Sequence, residues 1–264
     1  MKPSLVATDL DGTFLGANSV AHPGNIAAAK GIVAAGITLV IATGRPRRWL
    51  QQIDELRELN PLVIASNGAS IGPLCSAEPD LVHPMSAAAI EAFAAALPAE
   101  LQPTFAVEYA VEWGREEGYP PAPRNDEAVH VEALPALLSR GDVIKVLART
   151  QHLNTDDWAP IALEAAGSSL TCTFSWFDPH GTVEVSATGV SKGSALSEVL
   201  ATLGISPADC AAFGDMPNDL EMLRLVGSPF VMAGSHESMF EHGFTAIGHH
   251  HEGAVGEQLR TYLI

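Results

Sequence analysis

The chain has 264 residues and is 47% hydrophobic, which predicts one or two domains with buried cores and argues against a disordered chain. Its formal net charge of −17 disfavours a nucleic-acid backbone or an anionic membrane surface as a partner. The cysteines Cys75, Cys172 and Cys210 are far apart, and neither a signal-peptide pattern nor an apolar run of about 18 residues occurs. These features predict a cytoplasmic protein without disulfides, a zinc site or a membrane span.

Short apolar runs that end in polar residues and glycine recur along the chain. They cover residues 5–8, 37–42, 62–65, 210–213 and 230–233. Because the runs are continuous rather than alternating, they are typical of parallel strands covered on both faces. Helices are predicted near 24–35, 46–58, 191–203 and 217–226. This alternation indicates an α/β fold with a Rossmann-like, doubly wound parallel sheet, which binds ligands beyond the carboxyl ends of its strands.

The pattern changes between residues 84 and 186. The predicted elements there are helices at 86–97 and 156–166, strands within 104–113 and at 143–148, 170–176 and 182–185, a turn at 178–181, and a proline- and acid-rich loop at 114–128. A helix followed by alternating strands does not continue the parallel pattern. The sequence therefore predicts a core of residues 1–83 and 187–264 with an inserted α+β domain of residues 84–186.

Four carboxylates follow two of the predicted strands. Asp9 and Asp11 come after the first run and are one residue apart, so an extended backbone would point both to one side. Asp215 follows a later strand, and Asp219 lies in the first turn of a helix that begins near Pro217. Converging strand ends would bring the four carboxylates into one crevice, where they need a cation for neutralisation. An all-oxygen site of this kind suits Mg²⁺.

Two segments offer donors and positive charge for an anionic ligand. Thr43 has a hydroxyl at a strand end and Gly44 leaves its N–H accessible, although Thr43 also suits a helix cap. Lys192 follows the predicted N-cap Ser191 at the start of a helix. A lysine there opposes the helix dipole, but an ammonium beside a helix N-terminus is a good phosphate site. Together with the carboxylates, these groups predict phosphoryl transfer, which depends on positioning and charge neutralisation.

Five segments carry polar motifs in a defined order. They are Asp9-Leu10-Asp11-Gly12-Thr13, Thr43-Gly44-Arg45, Ser66-Asn67-Gly68-Ala69, Gly189-Val190-Ser191-Lys192-Gly193 and Gly214-Asp215-Met216-Pro217-Asn218-Asp219. This set resembles the haloacid dehalogenase-like (HAD) hydrolases, and most closely the Cof-type phosphatases of subclass IIB. The resemblance spans nearly the whole chain, and the insertion lies where this subclass carries its substrate-specificity cap of type C2. The first motif alone is expected at roughly one position in 10⁵ from average residue usage, so coincidence is implausible.

The resemblance implies a Mg²⁺-dependent phosphatase that hydrolyses a small phosphorylated metabolite, such as a sugar phosphate, through an aspartyl-phosphate intermediate. Asp9 is then the nucleophile, and Asp11 is the general acid for the leaving oxygen and later the base for water. The residues expected to hold the phosphoryl group are Thr43, Gly44, Lys192 and Asn218.

The resemblance also implies the metal ligands, which are Asp9, the backbone carbonyl of Asp11, Asp215 and Asp219. Asp219 would bind directly or through water, and its alternative role is a simple partner of the helix dipole. The candidates for substrate contact are Arg45, Asn67 and Glu184. For Glu184 the competing interpretation is an ordinary packed sheet.

Two other functions stay open on the sequence. A phosphomutase of a related subclass would return the phosphoryl group to the substrate, and a non-catalytic protein would only bind a phosphorylated ligand. Release of free phosphate would argue against the first, and the intact Asp9 and Asp11 argue against the second. Both a monomer and a homodimer are compatible with the chain. The run His249-His250-His251 is interpreted as a solvated loop, because adjacent histidines cannot all face one ion.

Overall fold

The computed structural model describes residues 2–121 and 129–264. The chain divides into two compact units. The first unit is made of Met1–Leu81 and Ser191–Ile264, and the second is Val82–Val190, which is inserted in sequence between those two segments. Of the loop predicted at 114–128, residues 122–128 lie outside the described residues.

The two units together contain 14 strands and seven α-helices among the described residues, and strands and helices alternate along most of the first unit. The strands, in chain order, are β1 (Leu5–Thr8), β2 (Thr38–Ala42), β3 (Leu62–Ala65), β4 (Ser70–Pro73), β5 (Leu81–Val82), β6 (Thr104–Glu108), β7 (Trp113–Arg115), β8 (His130–Val131), β9 (Lys145–Arg149), β10 (Leu170–Thr173), β11 (Thr182–Ala187), β12 (Cys210–Gly214), β13 (Ser228–Met232) and β14 (Thr245–Ile247). The α-helices are α1 (Pro23–Ala34), α2 (Ala87–Ala96), α3 (Leu134–Leu138), α4 (Thr155–Ala166), α5 (Lys192–Leu203), α6 (Leu220–Leu225) and α7 (Ala254–Arg260). None of the described helices has the length and apolar character that a membrane span requires.

The sheet of the first unit has the strand order β14-β13-β12-β1-β2-β3-β4-β5. The pairs from β14 to β3 are parallel, and β4 runs antiparallel to β3. Because β1, β2, β3 and β12 run in the same direction, the polar residues that follow them lie at one edge of the sheet. The predicted parallel strands are confirmed. β4, β5 and β14 are additional strands of this sheet.

Both faces of this sheet are packed, as the continuous apolar runs predict. Val6 belongs to a core cluster that includes residues of α1 and α7, whereas Leu5 and Ala7 belong to a second cluster that includes residues of α5 and α6. Alternate residues of one strand therefore serve opposite layers of helices. Full burial of an aliphatic side chain of this kind contributes about 1.5–3 kcal/mol. The doubly wound α/β class is confirmed.

The helix predicted near 46–58 is present, but as 3₁₀ turns and not as an α-helix. The segment consists of 3₁₀ turns at Arg47–Trp49 and Gln51–Leu59, and Ile53 departs from helical geometry with a φ of −119°. Leu50, Ile53 and Leu56 are the buried apolar residues, and each is three positions after the last. A spacing of three matches the 3₁₀ period, in which side chains at i and i+3 lie above one another, and not the α-helical period of 3.6.

The second unit has a sheet of order β10-β11-β9-β6-β7-β8. Its pairs are antiparallel except β7 with β8, and this confirms the predicted change from the parallel pattern. Val146 and Val183 pack into a core cluster with residues of α2, α3 and α4. Since strand residues alternate between faces, Lys145 and Glu184 lie on the opposite face of the sheet.

Candidate active site

Asp9 follows the last residue of β1, and the chain turns sharply just after it. Asp11 and Gly12 have φ/ψ of −76°/125° and 75°/−1°, the central positions of a type II turn. The positive φ favours glycine, and a Cβ at Gly12 would lie 2.2 Å from Oδ2 of Asp215. The turn places the two acids in different environments, because Asp9 is 4% exposed and the Asp11 side chain is 47% exposed.

Asp9, Asp215 and Asp219 form a buried acidic cluster in which one carboxylate oxygen of each lies within 4.8 Å of the others. Lys192 enters this cluster from the first position of α5. Its Nζ donates to Oδ1 of Asp9 at 2.6 Å and to Oδ1 of Asp219 at 2.7 Å. The structure thus brings together three of the four predicted carboxylates around the predicted lysine.

Asp219 has both carboxylate oxygens engaged by the chain itself. Its Oδ1 accepts from Lys192, and its Oδ2 accepts from the backbone N–H groups of Asp215 and Met216 at 3.0 and 3.1 Å. Asp219 is completely buried. Its carboxylate therefore closes the loop after β12 and orients the ammonium of Lys192.

Burial dominates the electrostatics of the cluster. It raises the pKa of Asp9 well above its usual range, opposed by the Lys192 ammonium and assisted by Asp219 and Asp215. Burial, and next the charge of Asp219, raise the pKa of Asp215 to about 7, against the hydrogen bond from Thr13. Burial disfavours the ammonium of Lys192, but Asp219 and Asp9 outweigh it and raise the pKa of Lys192. Without a cation, this cluster retains protons that ordinary carboxyl groups lose.

The fourth predicted carboxylate, Asp11, pairs with Arg45. The guanidinium is 6% exposed and also donates from Nη1 to the backbone oxygen of Trp49 at 3.2 Å. Thr43 lies two residues before Arg45, and its Oγ1 accepts a hydrogen bond from the backbone N–H of Arg45 at 3.1 Å. A hydroxyl that accepts in this way keeps its own proton for another acceptor. Thr43 therefore closes the turn after β2 and still has a donor to offer.

A loop at Ser66–Gly68 connects several of these segments. Its residues have φ of 50°, 56° and 103°, and a left-handed conformation costs a non-glycine residue about 1–2 kcal/mol. The N–H groups of Ser66 and Asn67 donate to the carbonyls of Arg45 and Thr43, each at 3.0 Å. A Cβ at Gly68 would lie 2.2 Å from the carbonyl oxygen of Ser191, the residue before Lys192. The loop therefore fits closely between the end of β2 and the start of α5.

Asn218 and Glu184 lie in different settings. Asn218 belongs to the 3₁₀ turn Pro217–Asp219, and its Nδ2 donates to Oδ1 of Asn67 at 2.9 Å. Glu184 lies on β11 of the second unit, where its Oε1 accepts from Nζ of Lys145 at 2.7 Å. Both members of the Lys145–Glu184 pair are almost completely buried.

The donor set fits a hard divalent cation. Among the described residues, no hydrogen bond reaches Oδ2 of Asp9 or Oδ2 of Asp215, whereas both oxygens of Asp219 are engaged. Asp9 and Asp215 therefore have oxygens available to a metal, and such hard carboxylate ligands are the type that Mg²⁺ takes. In the described part of the chain, this acidic cluster is the only group of three or more His, Cys, Asp or Glu side chains close enough to share an ion, and His249–His251 do not form another.

One contributor to the site, Thr13, was not predicted. Thr13 donates from Oγ1 to Oδ1 of Asp215 at 2.8 Å, which orients the Asp215 carboxylate. The sequence signal that could have identified Thr13 is its position in the motif Asp9-Leu10-Asp11-Gly12-Thr13. Asn67 was a candidate for substrate contact, but its left-handed backbone and its link to Asn218 were not visible in the sequence. Asparagine tolerates this conformation better than most residues, which is the weak signal that the sequence contains.

Known proteins resemble this chain in both sequence and fold. The HMP-PP phosphatase of Escherichia coli O6:H1 (strain CFT073) is 28% identical over 98% of this chain and 95% of its own length. A phosphatase of the haloalkanoate (HAD) superfamily from Bacteroides thetaiotaomicron is 20% identical with a TM-score of 0.82, covering 100% of this chain and 96% of its own. A HAD subclass IIB sugar phosphatase is 19% identical with a TM-score of 0.83, covering 99% of this chain and 100% of its own.

The family model for haloacid dehalogenase-like hydrolases matches residues 6–259. This range includes all five motifs, the whole of the second unit and most of the first. The family recognised from the motifs, and the hydrolase class that it implies, are therefore confirmed. The chain belongs to the haloacid dehalogenase-like hydrolases.

Proposed function

We propose that this protein is a Mg²⁺-dependent phosphatase that hydrolyses a small phosphorylated metabolite through an aspartyl phosphate on Asp9. The observation that carries this proposal is the buried cluster of Asp9, Asp215 and Asp219 with Lys192 inserted between two of the carboxylates. A buried ammonium and a cation would together neutralise the charge of the carboxylates and of the phosphoryl group. This is the main requirement of phosphoryl transfer.

In the first step, an oxygen of Asp9 attacks phosphorus while the bond between phosphorus and the ester oxygen breaks. Asp11 donates a proton to the leaving oxygen. In the second step, water attacks phosphorus, Asp11 takes a proton from that water, and the acyl-phosphate bond breaks to regenerate the Asp9 carboxylate. Lys192 holds one Asp9 oxygen at 2.6 Å, which supports an oriented nucleophile.

The other residues of the site bind the phosphoryl group or the metal ion and hold it in position. Thr43 offers its hydroxyl and Gly44 its backbone N–H to the phosphoryl oxygens, and Asn218 offers an amide N–H. Asp9, the Asp11 carbonyl and Asp215 would hold Mg²⁺, with Asp219 acting through Lys192 or through a bound water. When bound, Mg²⁺ supplies positive charge to the transferring group.

Recognition of the rest of the substrate is assigned to Glu184 of the second unit. A buried ion pair such as Lys145–Glu184 is expensive to desolvate and contributes little to stability, which supports a role in recognition. The curated relatives are named HMP-PP phosphatases, and a structural relative is a sugar phosphatase. HMP-PP and sugar phosphates are therefore the first substrates to test.

The test is release of inorganic phosphate from HMP-PP, sugar phosphates and p-nitrophenyl phosphate with Mg²⁺ and with excess EDTA. We expect turnover with Mg²⁺ only, and a loss of more than about 10³-fold in kcat for Asp9→Asn. Asp54→Asn is the matched control, because it removes an exposed carboxylate that pairs with Arg57 at the surface. Wild-type activity in Asp9→Asn would exclude Asp9 as the nucleophile. Undiminished turnover in excess EDTA would exclude a requirement for Mg²⁺. Conversion of the substrate to an isomer without phosphate release would indicate a mutase.

A further inference from the structure

The side chain of Asn218 depends on one neighbour for its orientation. Its Nδ2 donates to Oδ1 of Asn67 at 2.9 Å, while its Oδ1 is buried and has no hydrogen-bond partner among the described residues. The contact with Asn67 is therefore the polar interaction that decides how this carboxamide is turned. A carboxamide nitrogen has two N–H groups, so the second one stays available for an acceptor such as a phosphoryl oxygen.

Asn67 is itself rigidly placed. It is 3% exposed, its φ is 56°, and its N–H donates to the carbonyl of Thr43 at 3.0 Å. The preceding Ser66 is tied to Arg45, and the following Gly68 lies against the backbone before Lys192. Left-handed residues of this kind persist only where the surrounding structure holds them, and they concentrate at functional sites. The loop thus connects the Thr43 segment, the start of α5 and Asn218.

We propose that Asn67 is a positioning residue, which orients the Asn218 carboxamide and ties it to the Thr43 segment so that both present donors to one phosphoryl group. This inference rests on the proposed phosphatase function and deepens it. Asn67 acts through Asn218 and does not itself touch the reacting atoms. Its two contributions are the carboxamide oxygen that holds Asn218 and the left-handed backbone that holds Thr43.

The two contributions can be separated by substitution. Asn67→Gly removes the carboxamide but accepts the positive φ, whereas Asn67→Ala also disfavours the backbone conformation. Asn60→Gly is a matched control, since Asn60 is another left-handed asparagine, with a φ of 44°, whose Oδ1 accepts from the backbone N–H of Cys75 at 3.0 Å. A cycle of Asn67→Gly, Asn218→Ala and the double variant measures the coupling between the two side chains.

The measurements are kcat and KM for p-nitrophenyl phosphate and the dissociation constant of orthovanadate in the presence of Mg²⁺. We expect Asn67→Gly to lower kcat/KM about 10-fold and to raise the dissociation constant of vanadate by the same factor, because one buried hydrogen bond is lost. In the Asn218→Ala background the same change should have an effect of less than about twofold, because the carboxamide that Asn67 orients is gone. Asn67→Ala should lose more than Asn67→Gly, and Asn60→Gly should retain wild-type kinetics.

Equal effects of Asn67→Gly with and without Asn218 would overturn the proposal, as would a lowered Tm with unchanged kcat/KM and vanadate binding. Failure of the proposed function gives a different result. In that case the wild-type protein releases no phosphate and Asp9→Asn has no effect, while the vanadate cycle still measures whether Asn67 and Asn218 are coupled. If the wild-type protein does not bind vanadate at all, both the proposed function and the proposed role of Asn67 are rejected.

Discussion

The guanidinium of Arg45 donates to both carboxylate oxygens of Asp11, from Nε to Oδ2 and from Nη2 to Oδ1, each at 2.5 Å. A bidentate contact of this kind restrains the orientation of a carboxylate more tightly than a single hydrogen bond does. Arg45 is buried and held at its other end by the carbonyl of Trp49, whereas Asp11 is half exposed. The arginine therefore restrains the residue to which we assign the proton transfers.

Replacement of Arg45 should affect poor leaving groups more than good ones. Arg45→Lys keeps a positive charge but cannot reproduce two parallel N–H contacts, so Asp11 loses its orientation. We expect about a 10- to 100-fold loss of kcat/KM with an alkyl phosphate, whose leaving oxygen needs a proton, and a smaller loss with p-nitrophenyl phosphate. Arg57→Lys is the control, because Arg57 pairs with Asp54 on the surface. Equal losses with both substrates would contradict this role.

Removal of the Asp219 carboxylate should destabilise the first unit. Asp219→Ala leaves two backbone N–H groups without their acceptor and removes one partner of the buried Lys192 ammonium. Breaking a buried ion pair on one side costs about 3–5 kcal/mol, so the free energy of unfolding in urea should fall by an amount of that order. Asp209→Ala, at an exposed position of the same unit, should change it by less than about 0.5 kcal/mol. A similarly small change for Asp219→Ala would show that these contacts are not needed.

The pattern of apolar residues predicts the core of the first unit well but not its edges. The strands β1, β2, β3, β12 and β13 are continuous apolar runs because both of their faces are buried. The edge strand β14 is only three residues long and largely exposed, so burial leaves no apolar pattern for it. Edge pairing is decided by the neighbouring strand, which composition alone does not reveal.

For the candidate site, too, the sequence predicts some features and misses others. Residue types and their positions after predicted strands were enough to select the acids, the lysine and the threonine as candidates, because ligands of such sheets bind beyond the carboxyl ends of the strands. The orientation of Asn218 and the full engagement of Asp219 could not be predicted. The orientation of Asn218 depends on Asn67, which is far away in sequence. Asp219 combines the distant Lys192 with two backbone N–H groups of its own loop. Neither arrangement changes the local residue pattern.

Binding of Mg²⁺ should depend on pH below about 7. The raised pKa values of Asp9 and Asp215, the latter about 7, mean that the folded apo protein binds more protons than the unfolded chain at acidic pH. Stability of the apo protein should therefore fall as pH rises from the ordinary carboxyl range toward 7, because the folded state must then hold buried charge. Mg²⁺ displaces these protons, so its affinity should rise over the same interval.

Thermal unfolding with and without MgCl₂ between pH 5.5 and 8.5 measures this linkage. The increase in Tm caused by Mg²⁺ should grow with pH and level off above about 7. Asp215→Asn removes one of the two titrating groups and a proposed metal ligand, and should abolish most of the Mg²⁺ effect at every pH. A Mg²⁺ effect that is constant across the range would mean that the cluster does not hold protons when the ion is absent.

Gly12 allows a direct separation of backbone strain from damage to the acidic cluster. Gly12 and Gly243 have nearly equal φ, 75° and 72°, but a Cβ at Gly243 meets no atom within 4 Å, whereas one at Gly12 would lie 2.2 Å from Oδ2 of Asp215. Gly243→Ala should therefore cost only the left-handed strain of about 1–2 kcal/mol, seen as a lower Tm with normal kinetics. Gly12→Ala adds displacement of Asp215, so Mg²⁺ affinity and kcat should fall by more than about 100-fold. If the two variants differed only in Tm, the approach of Asp215 to the turn after β1 would have no part in catalysis, and the metal would have to be held elsewhere.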